Sequence, residues 1–168
     1  MSKEKATEEI LNLLEMQEEI LQFTHFTNED AWELGKFLIE EARRKGVSVA
    51  LSIRRMNGMT VFEHLMEGTT MDNAAWLTRK FNTVCRTEMS SLRFLMQLRQ
   101  SGRTMQEKFL DESEYACCGG GFPIRVEEAG VVGVIICSNL NHVEDHDFLV
   151  RGLSKYLHMD EVPRISSL

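Results

Sequence analysis

With 168 residues, 43% of them hydrophobic and 27% charged, the chain can bury one substantial core and has the make-up of an ordinary globular protein. A formal net charge of −7 excludes the basic face of a general nucleic-acid binder. No apolar run approaches the roughly 20 residues that span a bilayer, so no membrane role is expected. The start, Ser2-Lys3-Glu4-Lys5, has none of the pattern of a secretory leader, and the four cysteines read as reduced thiols of a cytoplasmic protein.

Residues 6–22 form an amphipathic pattern, with Ile10, Leu11, Leu14, Ile20 and Leu21 on one side, widened by Leu13 and Met16, and glutamates opposite. This N-terminal helical extension, at about residues 1–26, either docks on the rest of the chain or on a neighbouring subunit, or serves as a partner-binding arm. Thr27 then caps a second helix whose stripe is Ala31, Leu34, Phe37, Leu38 and Ala42, and Gly46 ends it. Val47 to Arg54 alternate as a strand, Asn57-Gly58 predicts a two-residue type I′ hairpin, and Met59–Met66 return as the partner strand.

A helical region from Asp72 to about Gly102 follows, with a break near Thr87–Ser91 because Ser90-Ser91 suits a cap. Residues 103–114 read as a connection. Tyr115–Val126 is expected to be a strand entered through Gly119, Gly120 and Gly121, returning through Gly130 as Val131–Cys137. That last run is apolar on both faces and needs cover on each side. Asn141 with Glu144 resembles a capping box for a final helix that carries Phe148, Leu149, Leu153 and Leu157 inward. Helices on both sides of such a strand imply an α/β/α sandwich, in the α+β sense, around a mostly antiparallel sheet of about five strands in one domain spanning 1–168.

The motifs Gly68-Thr69-Thr70-Met71-Asp72-Asn73, Trp76 with Arg79-Lys80, Ser90-Ser91, Tyr115-Ala116, Gly119-Gly120-Gly121-Phe122-Pro123-Ile124 and Glu144-Asp145-His146 together resemble an uncharacterised family of the GlcG/HbpS-like superfamily. Its members are often labelled haem-degrading domain proteins. The resemblance runs from about residue 27 to 158. It implies a profilin-like fold with a five-stranded sheet, a homo-oligomer, and a small-molecule ligand with haem as first candidate. One departure is Asn139, where members tend to carry glycine; Asn tolerates positive φ well enough to keep the turn.

Asp72, Asn73, Arg79, Gly119, Gly120, Gly121 and His146 are the candidate ligand-binding residues. The glycines would leave backbone N–H groups open to an anion, or else permit a bulge or a close helix contact. Asp72 and Glu144 can equally be helix caps. His146 could ligate haem iron or a metal, or be a solvent-facing or capping histidine, and His64 and His25 could join it only if the fold brings them near. Glu144, Asp145 and His146 are consecutive, so they point apart on a helix and make no metal site alone. Cys117-Cys118 has no nearby base or cation to activate it, and one of the pair should be buried if both lie on a strand. No catalytic order of residues is present, so the expectation is an oligomeric small-molecule-binding protein. An assembly protein and a haem-degrading enzyme are the alternatives.

Overall fold

The computed structural model describes residues 2–165 and 167–168. Its elements are α1 (Lys3–Ile20), β1 (Gln22–Phe23), α2 (Asn28–Lys45), β2 (Ala50–Arg55), β3 (Thr60–Leu65), α3 (Met71–Thr87), α4 (Ser91–Ser101), β4 (Gly121–Val126), β5 (Gly130–Ser138) and α5 (His142–Tyr156), with a 3-10 turn at Gln106–Lys108. The sheet runs β1-β4-β5-β2-β3, antiparallel throughout except for the parallel β1–β4 pair.

Central β5 explains the layers. Ile135 and Cys137 pack with Leu51, Ile53 and Phe122 beneath α2 and α5, while Val134 and Ile136 meet Leu77, Phe81 and Val84 of α3. A strand with two apolar faces is thus covered twice, as its sequence required. Helix α1 lies against α4, where Leu14 packs with Leu92, Met96, Val143 and Ile165. Among the described residues no helix is long and apolar enough to cross a membrane.

Local sequence sets most of the boundaries. Thr27, Thr70 and Asn141 each close a capping box with the residue three positions on. Ser90 caps α4 through Arg93 N–H at 3.2 Å, so the long helical region breaks where a serine competes best for the backbone. Asn139 holds φ at 107°, and its side chain donates to Ser48 O at 2.9 Å.

Four details differ from the sequence reading. In the β2–β3 turn only Gly58 takes positive φ, and Gly58 N–H donates to Arg55 O at 2.9 Å. The connection is therefore a three-residue loop closed by a left-handed glycine, not a type I′ turn. Strand β4 starts at Gly121 rather than Tyr115, because the preceding segment is bonded to α3: Ala116 N–H donates to Arg79 O at 3.1 Å and Thr83 Oγ1 donates to Ala116 O at 2.8 Å. Cys117 and Cys118 consequently lie in a loop, both half-buried. Burial pushes the Cys117 thiol up to about 11 and raises Cys118 as well. The fifth strand is the two-residue β1, too short for any alternation to show. On α1, Met16 is exposed and the buried face instead contains Gln17 and Glu18.

Candidate functional site

The three glycines are sites of close packing. A Cβ on Gly119 would stand 2.2 Å from the carbonyl oxygen of His142, and one on Gly120 would stand 2.5 Å from Cys137 O and 2.6 Å from Lys80 Nζ. Gly120 also holds φ at 123°, outside the range that side chains favour. The N–H of Gly119 donates to His142 Nδ1 at 3.1 Å and that of Gly121 to Ser91 Oγ at 2.9 Å. With the Gly119 and Gly121 donors engaged, the motif packs as a seam where backbone meets backbone, the close contact that stood as the alternative to an anion cradle.

That seam encloses a buried ion pair. Lys80 Nζ donates to Asp145 Oδ2 at 3.0 Å and to Cys137 O at 2.8 Å, and Asp145 Oδ1 accepts from Leu140 N–H at 3.0 Å. Both side chains are 3% exposed. Burial raises the Asp145 carboxyl above its ordinary range, and the Lys80 ammonium pulls it back. The lysine was detectable in principle. Position 80 is three after Leu77 and four before Val84, squarely on the buried stripe of α3.

The remaining candidates separate into other places. Asn73 Oδ1 accepts from Thr70 N–H at 2.9 Å, and its Nδ2 reaches Ser138 Oγ and Asn139 Oδ1 at 3.4 Å each, tying α3 to the end of β5. Asp72 is exposed in the first turn of α3, where a carboxylate favours the positive helix end. The Arg79 guanidinium stacks 3.9 Å over the Trp76 ring, and its Nε has no partner among the described residues.

His146 is 1% exposed, which corrects the solvent-facing alternative. Its Nε2 lies 2.8 Å from Gln17 Oε1, while Gln17 Nε2 donates to Pro163 O at 2.7 Å. That second bond orients the amide, so Oε1 accepts and His146 Nε2 carries the proton. Its Nδ1 is a buried atom without a partner among the described residues, and the His146 and Phe122 ring centroids lie 5.9 Å apart. Burial holds the imidazole down to about 4, hence neutral. One residue after Gln17, Glu18 is buried between Arg93 and Arg125 at 3.5 and 3.6 Å, and burial raises its carboxyl. The inner face of α1 is therefore partly polar.

Other histidines differ in availability. His25 Nδ1 is 2.9 Å from Asp30 Oδ2, and His142 is engaged by Gly119. The rings of His64 and His158 bond to nothing among the described residues. Nor do any three His, Cys, Asp or Glu side chains among those residues gather as a metal cluster.

His64 stands at a groove of about 430 Å³ between α2 and the open edge of β3. It shares the α2-facing side of the strand with Phe62, two residues back, since these pair with Leu51 and Ile53 of the core face. Trp32, half exposed, leans on Phe62 with centroids 6.0 Å apart, and Lys36 Nζ lies 5.3 Å from the Trp32 ring. Ile39 and Arg43 complete the helical wall. Gly35 makes this possible, because a Cβ there would fall 2.4 Å from the Phe62 ring.

The family model described as "Haem degrading protein HbpS-like" matches residues 26–154. A UPF0303 protein of Streptomyces avermitilis is 44% identical over 86% of this chain and 88% of its own, and UPF0303 protein YE1367 of Yersinia enterocolitica is 36% identical over 88% of each. Among solved structures, Ybr137w superposes with a TM-score of 0.82 at 29% identity, covering 88% of this chain and 87% of that one. A PduOC:heme complex superposes at 0.65 with 17% identity, covering 77% and 93%, which speaks to fold alone. The chain belongs to the HbpS-like haem-degrading domain family, alongside the UPF0303 proteins.

Proposed function

We propose that the chain is a cytoplasmic, self-associating small-molecule-binding protein, and that haem or a related flat ligand lies in the α2–β3 groove with His64 facing its metal. The observation that carries this is an exposed imidazole with no partner among the described residues, beside an aromatic wall and two cations. The groove's volume falls within the usual range for ligand pockets, roughly 300–1,000 Å³. A neutral imidazole presents a lone pair to iron, so the donor set suits haem. Family membership and the haem named in the PduOC structure support the choice of ligand. Self-association is supported by the open edge of β3 and by Met71 and Phe109, which are 81% and 89% exposed.

Of the residues singled out by motif, Asn73, Gly119, Gly120, Gly121 and His146 then act by shaping the fold on which the groove stands. Titrating the protein with haemin should give a saturable Soret shift. His64→Ala should weaken binding by about tenfold or more, equivalent to ~1.4 kcal/mol, and alter the Soret position, while His146→Gln should leave both unchanged. No Soret shift at stoichiometric protein would overturn the haem reading; a loss confined to the His146 variant would move the site.

A further inference from the structure

Resting on the groove reading above, we propose that Lys36 and Arg43 make the groove a clamp for planar aromatic ligands that carry two anionic groups. On α2 the residues Trp32, Lys36, Ile39 and Arg43 fall at i, i+4, i+7 and i+11, one continuous stripe facing β3. Lys36 and Arg43 are seven residues apart, which is two turns or about 10 Å along the axis. Their long side chains can close that span, with Ile39 between them on the helix and the Phe62 and Trp32 rings at the Lys36 end.

Both cations have capacity to spare. Lys36 Nζ pairs with Glu33 at 3.3 Å and lies over the Trp32 ring, and Arg43 uses one nitrogen on Glu40 at 2.8 Å. These pairs are about half exposed on each side, so a ligand anion can share or displace them. Three ammonium donors and five guanidinium donors leave room for a second acceptor. Glu63 is drawn toward the opposite side of the sheet by Arg54 at 3.2 Å, which leaves Glu33 and Glu40, one beside each cation, as the competitors of a ligand anion. The two cations thus meet the ligand in a chain whose net charge is −7, an arrangement that favours dianions here and discourages them elsewhere on the surface.

The class includes tetrapyrroles with two side-chain carboxylates, but the clamp itself does not need iron. The test is a fluorescence titration of the full chain with protoporphyrin IX and with its dimethyl ester, on the parent and on Lys36→Gln/Arg43→Gln. The diacid should bind at least about tenfold more tightly than the diester, with an affinity that falls as salt rises, and the double variant should lose that preference. Both substitutions are at exposed positions, and circular dichroism will show that the fold is retained. Equal affinity for acid and ester, or an unchanged preference in the variant, would overturn the clamp. If haemin gives no Soret shift while the diacid keeps its preference, the iron contact fails and the clamp stands. If haemin binds through His64 with no preference for the diacid, the reverse holds. Binding of neither porphyrin overturns both.

Discussion

Lys80→Ala will lower the free energy of unfolding by about 3–5 kcal/mol, among the largest losses any single polar substitution causes here. The truncation leaves the Asp145 carboxylate buried without its cation, and Cys137 O without its donor, in a site with 3% exposure. Neutralising both partners tells a different story. Lys80→Met with Asp145→Asn removes the charges together, and an asparagine oxygen can still accept from Leu140 N–H. That double variant should regain more than half of the loss, because desolvation opposed the ion pair from the start. Urea denaturation of the three proteins measures both quantities; a single-variant loss below about 1 kcal/mol would mean the pair is not buried in solution.

Acid will destabilise the fold through His146 in a defined window. The folded imidazole titrates at about 4, against an unfolded value of 6.5. Between those values the unfolded chain binds more protons than the folded one, so stability falls as pH falls. The contribution is complete above pH 6.5, declines with a slope approaching 1.4 kcal/mol per unit, and is exhausted below about 4, for a total of about 3 kcal/mol. Neighbouring groups act in the opposite sense: Asp145 and Glu18 are raised and keep their protons longer in the fold. The comparison therefore has to be made against His146→Gln, whose amide can still donate to Gln17. The difference in unfolding free energy between parent and variant should grow steadily between pH 4 and 6.5 and flatten above. A difference independent of pH would show that His146 is solvated.

Much of the fold was legible because it depends on local signals. Thr27, Gly46, Ser90 and the Asn141–Glu144 pair each fix an end through one or two backbone bonds, and all appear where the sequence placed them. The double-faced run in β5 dictated the three layers. What stayed hidden depends on partners distant in sequence. Strand β1 is two residues long and exists through its pairing with Arg125 and Val126. The glycine motif looked like a ligand cradle because nothing local reveals that His142 O and Cys137 O occupy the space a Cβ would need at Gly119 and Gly120.

The candidate site was read from motifs, and the glycines and His146 turned inward while Asp72 stayed exposed. Gln17 lies 129 positions from His146, so no spacing argument could pair them. The groove was missed for the complementary reason. Trp32, Lys36 and Arg43 fall on the solvent side of α2, where charged and aromatic residues read as ordinary surface. Only the return of β3 beside the helix, with Phe62 seated against Gly35, makes a concave wall of them.

The division between a structural glycine seam and a ligand-facing groove is tested most directly by mapping amide chemical shifts of the nitrogen-15-labelled protein as protoporphyrin IX is added. The perturbed amides should concentrate in residues 32–43 of α2 and 61–64 of β3, with Gly119–Gly121 and His142–His146 unmoved. Shifts centred on those glycines and on His146, with α2 and β3 silent, would contradict it.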